Sequence, residues 1–174
     1  MEKKITTPII KGIVITLILV VLGLIIYFTG QMANKALSYV QYLVLIVGVV
    51  LSCTSFAKQM NANVTFGNVF AHGFKTSMVA AVLLVIYTIL ALKVLFPDML
   101  DTIINTARQD MVNQGKLTES QIQSALDMTK KFVIPFAIGG ILIMFAIFGA
   151  IASLIGAAIA KKQPQDPFAS QTHM

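Results

Sequence analysis

Charge is what this sequence has least of. Only 11% of its 174 residues are Asp, Glu, Lys or Arg, against about 25% in an ordinary soluble domain, and a folded sphere cannot cover itself in water with so little. Acids are the scarcer sign: 7 carboxylates face 13 basic side chains, a formal net charge of +6. The lysines are spread thinly between apolar blocks and never form the basic stripe with interleaved aromatics of a nucleic-acid surface, so no nucleic acid is expected as a partner. One cysteine, Cys53, cannot form an internal disulfide, and inside an apolar block it reads as a small buried residue. His72 and His173 each stand without a second ligand at zinc-like spacing, and the methionines are scattered. No metal or cofactor site is therefore expected. Asp98 and Asp101 are explained by the start of a helix, which leaves no catalytic residue and no expected enzyme activity.

What the sequence has in abundance is hydrophobicity: 57% of residues, with a mean hydropathy of +0.84. These values point to an integral membrane protein in contact with a lipid bilayer. Marking every charged residue leaves four long charge-free stretches, 12–34, 36–57, 76–92 and 132–160. A span needs about 20 apolar residues, so each can cross a bilayer, the third with help from its flanks. An unpaired backbone amide in hydrocarbon costs several kcal/mol, and nothing here alternates like a barrel strand, so the spans must be helices. The expectation is an all-α fold with four transmembrane helices, at about 12–30, 37–56, 74–95 and 132–160, in one domain over 1–162. The first stretch, GIVITLILVVLGLIIYF, is too long for a cleavable signal core and is read as an uncleaved span. After Lys162 the prolines and small polar residues of 163–174 read as a disordered tail.

The connections carry their own signals. Spans one and two are joined by a short turn and should form an antiparallel hairpin. Before span three, Phe66, Phe70 and Phe74 recur at i, i+4 and i+8 behind Thr65, a stripe suited to an interfacial helix that anchors in the acyl boundary and turns at Gly73. Between spans three and four, 97–131 predicts an extramembrane helical hairpin. Pro97 opens its first helix, Gly115 stops it, and Thr118 with Gln121 has capping-box spacing. Ile103, Ile104, Ala107 and Met111 face Ile122, Ala125 and Leu126 along an apolar seam, with Asp127 and Lys131 at i, i+4. The second helix can run on into span four through Pro135.

No charged side chain lies in the interior of a span, since Lys75 and Lys93 flank the charge-free stretch of the third, which argues against an ion-coupled carrier. The most polar run inside a span is Ser52-Cys53-Thr54-Ser55, which could line a small polar cavity or ligate a soft metal, but its hydroxyls are expected instead to bond neighbouring carbonyls or the next helix. Small residues recur at four-residue spacing, most fully at Gly149, Ser153, Gly156 and Ala160, where backbones can approach closely. That face serves either packing within the bundle or a homo-oligomer. Lysines near the membrane ends number seven on the side of the termini and four opposite, once Arg108 and Lys116, far from the membrane, are set aside. This favours both termini in the cytoplasm.

The FGNVFAHGFK approach to span three, the LFPDML exit with Pro97-Asp98, and the small-residue run before Lys161-Lys162 resemble the domain-of-unknown-function family 4199 (DUF4199) of four-span bacterial membrane proteins, over nearly the whole chain. The resemblance implies a bacterial inner membrane and carries no ligand or activity. The expected function is a non-enzymatic scaffold or accessory partner of a membrane complex. The alternative is a small oligomeric channel or carrier for an uncharged or small solute.

Overall fold

The computed structural model describes residues 6–31, 34–61 and 63–160, with the backbone alone at 35 and 38. The expected tail and Lys161-Lys162 lie outside these residues. The described chain is helical, without a strand: α1 Pro8–Phe28, α2 Lys35–Gln59, α3 Phe66–Leu90, a π-helical turn Ala91–Leu95, α4 Asp98–Gln114 and α5 Glu119–Ala160. Four of these segments are long and apolar enough to cross a membrane: Pro8–Phe28, Tyr39–Gln59, Phe66–Leu95 and Glu119–Ala160. The protein is thus all-α, with four membrane-spanning helices.

Local sequence explains the ends. Pro8 opens α1, where its missing N–H needs no partner, and the Thr7 hydroxyl accepts from Ile10 N at 3.4 Å. Pro97 closes the third span: the residue before proline is driven out of helical geometry, and Phe96 sits at φ −141°, ψ 69°. Its amide reaches back five residues to Ala91 O at 2.8 Å, which widens the last turn into a π-turn.

One expected boundary is absent. The Phe66–Phe74 segment and the third span form a single helix, and Gly73 does not turn it. Nothing in that stretch removes a backbone donor, and the helix uses Gly73 instead as a place where neighbouring helices come close.

The chain packs as two units. The first holds α1, α2, α3 as far as Ala81 and α5 from Met144; the second is Val82–Ile143. In the first, pairings fix the helix directions. Thr6 meets Gln59, Gly48 faces Ile15 and Gly23 faces Gln41, so α1 and α2 are antiparallel, as their short connection predicts. Gly12 faces Thr76 and Thr16 reaches Ala80, making α3 parallel to α1, while Gly73 faces Ser153 and Ser77 reaches Phe145, making α5 antiparallel to α3. The unit is an up-down-up-down bundle.

Each helix turns a narrow stripe inward. On α1 it is Gly12, Ile15, Thr16 and Leu19; on α3 it is Val69, His72, Gly73, Thr76, Ser77, Ala80 and Ala81, the i, i+3, i+4, i+7 progression of one helix face. Small and hydroxyl-bearing residues lie inside, while Ile13, Leu17, Val21 and Leu51 are exposed. That arrangement suits hydrocarbon, where burial of apolar surface no longer drives helices together and close backbone packing must.

The second unit contains the expected hairpin. Asp98 and Asp101 occupy the first turn of α4, and Gly115 ends it with φ 61°, a left-handed conformation glycine adopts without strain. Thr118 N donates to Gln121 Oε1 at 2.9 Å, the side-chain return of a capping box. Ile104, Ile122 and Leu126 are buried together, with Ala107 and Met111 against them. Arg108 and Glu119 pair across the link on an exposed face. Asp127 accepts from Gln123 Nε2 at 3.4 Å, while Lys131 Nζ lies 5.6 Å from the Phe132 ring centre. Beyond the hairpin, α5 continues unbroken through Pro135.

Candidate functional site

The chemistry of the first unit is concentrated in a buried polar seam. Thr16, Ser52, His72, Thr76, Ser77 and Ser153 are all buried, each placed inward by the packing just described. The Ser52 and Thr76 hydroxyls lie 3.1 Å apart, joining α2 to α3, and Thr76 Oγ1 donates to His72 O at 2.9 Å. Ser77 Oγ donates to Phe145 O at 2.8 Å, joining α3 to α5. Thr16 Oγ1 donates to Gly12 O at 2.9 Å and reaches Ala80 O at 3.4 Å. Ser153 Oγ donates to Gly149 O at 2.6 Å, and Cys53 Sγ lies 3.6 Å from Val69 O. Every hydroxyl of the seam therefore bonds backbone or another hydroxyl; of the Ser52–Ser55 run, Ser52 reaches the next helix, Thr54 Oγ1 donates to Val50 O at 3.2 Å and Ser55 Oγ accepts from Gln59 Nε2.

The small face of α5 is turned onto this seam. A Cβ on Gly149 would collide with the Ser77 side chain, and one on Gly156 would stand 2.6 Å from Cys53 Cβ and 3.3 Å from Val50 Cα. Ser153 is fully buried beside Gly73, and Ala160 is buried too. These four residues are engaged within the chain. The three phenylalanines lie on α3: Phe66 is exposed, Phe70 and Phe74 are half-buried, and the latter two rings stack with centroids 6.0 Å apart.

His72 is the residue that spacing alone does not place. Its only sequence signal is its position between Val69 and Thr76 on the buried stripe. It is 5% exposed, and its ring stacks on Phe56 with centroids 4.1 Å apart. Its Nε2 has no hydrogen-bond partner among the described residues.

A second feature is a groove of about 400 Å³ between α1 and α2. Thr6, Ile10, Lys11, Ser52 and Ser55 line the half nearer the start of α1, and Val14, Ile15, Ile18, Gly48 and Leu51 line the other half. Gln59 ties α2 to the start of α1: its Oε1 accepts from Thr6 N at 2.6 Å and its Nε2 donates to Thr6 Oγ1 at 3.1 Å. Among the described residues no group of three His, Cys, Asp or Glu side chains could hold a metal ion.

The family model described as a protein of unknown function, DUF4199, matches residues 11–162. The chain belongs to that family. The DUF4199 match takes in nearly all of α1, the other three spans and the hairpin, so the seam, most of the groove and the α4–α5 hairpin fall within the family's own region. No curated protein and no solved structure matches this DUF4199 chain.

Proposed function

We propose that this integral membrane protein is a non-enzymatic scaffold or accessory subunit of a membrane complex, seated in a bacterial inner membrane with both termini cytoplasmic. The α4–α5 hairpin is the part a partner meets. The observation that carries this reading is the closure of the first unit. Gly12, Gly48, Gly73, Gly149 and Gly156 each lack room for a Cβ, and the hydroxyls between them are spent on holding helices together. Close-packed interiors of this kind leave little room for a solute to pass.

The hairpin differs. It buries Ile104, Ile122 and Leu126 in its own seam, which holds the shape without a partner's help, and keeps Arg108, Asp110, Lys116 and Glu119 exposed. A rigid helical surface rich in charge is suited to selective, reversible protein contacts.

The test is site-specific photocrosslinking in native membranes, with benzoylphenylalanine at Asp110 or Lys116 and, as a control, at the exposed apolar Ile86. A discrete adduct of constant size from the hairpin positions, and none from Ile86, is expected. Absence of hairpin adducts, with solute flux from liposomes bearing the purified protein, would replace this reading with a channel.

A further inference from the structure

We infer that the α1–α2 groove is a binding site for a single anionic phospholipid, its phosphate at Lys11 and one acyl chain lying along Val14, Ile18 and Leu51. Three observations lead there. The first is the groove's polarity gradient. Thr6, Lys11 and Ser55 lie at one end and Ile18 and Gly48 at the other, and because α1 and α2 are antiparallel, both helices place their polar residues at the same end. From Lys11 to Ile18, a helical rise of 1.5 Å per residue gives roughly 10 Å, within the ~15 Å depth of one leaflet's hydrocarbon. The groove therefore runs from headgroup level toward the mid-plane, as an acyl chain does.

The second observation is charge. Lys11 is half-buried in the groove wall, and its amine has neither an ion pair nor a hydrogen bond among the described residues. The described part of the first unit, 6–81 and 144–160, carries lysines at 11, 35, 58 and 75 and not one Asp or Glu. Among the described residues no carboxylate answers Lys11, and the anion a bilayer offers near a span's end is a lipid phosphate. The third observation is donor geometry: hydroxyls of Thr6, Ser52 and Ser55 line the same wall as the amine. Those of Thr6 and Ser55 supply neutral hydrogen bonds to phosphate and glycerol oxygens beside the charged one, while that of Ser52 is held by Thr76.

The sequence contains no tryptophan, so an introduced one reports alone. The full-length chain is reconstituted with Ile18→Trp, at the groove's deep end, or with Ile151→Trp, exposed on α5 outside the groove. Each is titrated with phosphatidylglycerol or phosphatidylcholine carrying the same brominated acyl chains, so that the ratio of the two lipids cancels any difference in depth. Expected is at least a threefold preference for brominated phosphatidylglycerol in the Ile18→Trp protein and none in the Ile151→Trp protein. In the Ile18→Trp background, Lys11→Gln should abolish the preference and Lys11→Arg, which keeps the charge, should retain it. Equal preference at both tryptophans, preference surviving in Lys11→Gln, or loss in Lys11→Arg would each overturn the site. Displacement of the quenching lipid by millimolar inorganic phosphate would overturn it too, by showing a free-anion site.

Discussion

Adding one methyl group to a glycine of α5 should have opposite effects at two places on the same helix. At Gly156 the new Cβ would meet Cys53 Cβ at 2.6 Å and the α2 backbone at Val50 Cα at 3.3 Å. Ordinary carbon contacts lie near 3.5–4.0 Å, so α2 and α5 must separate by about 1 Å, and neither obstacle is the tip of a side chain that can swing away. Overpacking of this kind costs ~1–3 kcal/mol. Replacing glycine by alanine in a helix returns roughly 0.5–1 kcal/mol of backbone entropy, leaving Gly156→Ala destabilised by up to about 2.5 kcal/mol. At Gly139 and Gly140 nothing lies within 4 Å, so there the entropy gain stands alone and Gly139→Ala should be neutral to stabilising by up to ~1 kcal/mol. Gly149→Ala adds an internal check: its Cβ meets only the Ser77 side chain, so Ser77→Gly in the same chain should recover part of the loss, a coupling that distant sites would not show. Reversible unfolding in mixed dodecylmaltoside and SDS micelles, followed by far-UV circular dichroism, gives the midpoints. If Gly156→Ala and Gly139→Ala move the midpoint in the same direction, the α5 face does not pack as described and the closed interior is wrong.

His72→Phe keeps the ring stacked on Phe56 and removes Nε2, a buried polar atom without a partner among the described residues. Such a group costs ~1–3 kcal/mol, so the variant should unfold at an equal or higher midpoint while His72→Ala unfolds earlier. A lower midpoint for His72→Phe would mean that Nε2 is engaged in the membrane. For orientation, alkaline phosphatase fused after Asn105 should be active and fused after Asn63 silent, following the seven-to-four distribution of lysines near the membrane ends. The reverse pattern would place the termini outside.

The spans were legible because the charges mark them: Lys11, Lys35, Lys75 and Lys131 bound the four charge-free stretches, and hydrocarbon permits little but helix between them. The hairpin was legible through punctuation, since Pro97, Gly115 and Thr118–Gln121 are local signals that the backbone obeys. Gly73 shows where such reading ends. A glycine that turns a chain and a glycine that admits a neighbouring helix look the same in one dimension, and only the nearness of Cys53 and Ser153 distinguishes them. The Ser52 hydroxyl was visibly polar, yet its partner Thr76 lies 24 residues away on another helix. His72 escaped for a related reason. Judged by metal-ligand spacing it stands alone, whereas the stripe of Val69, Gly73, Thr76 and Ser77 puts it inside. The π-turn at Ala91–Leu95 has a sequence cause in Pro97, but the widening depends on where the Phe96 amide finds an acceptor.

Hydrogen exchange of the full-length protein in nanodiscs tests most directly whether the hairpin is a folded docking element. α4 has 17 residues, and most of a helix's stability comes from packing its apolar face rather than from intrinsic propensity, so protection there must come from the seam of Ile104, Ile122 and Leu126. Amides of 104–111 and 122–129 should exchange at least a hundredfold slower than those of a synthetic peptide covering 97–131, while 116–118, in the link, should exchange fast. Exchange across 104–129 as rapid as in the isolated peptide would show that the seam does not hold in the membrane-bound protein, and the scaffold reading would fall with it.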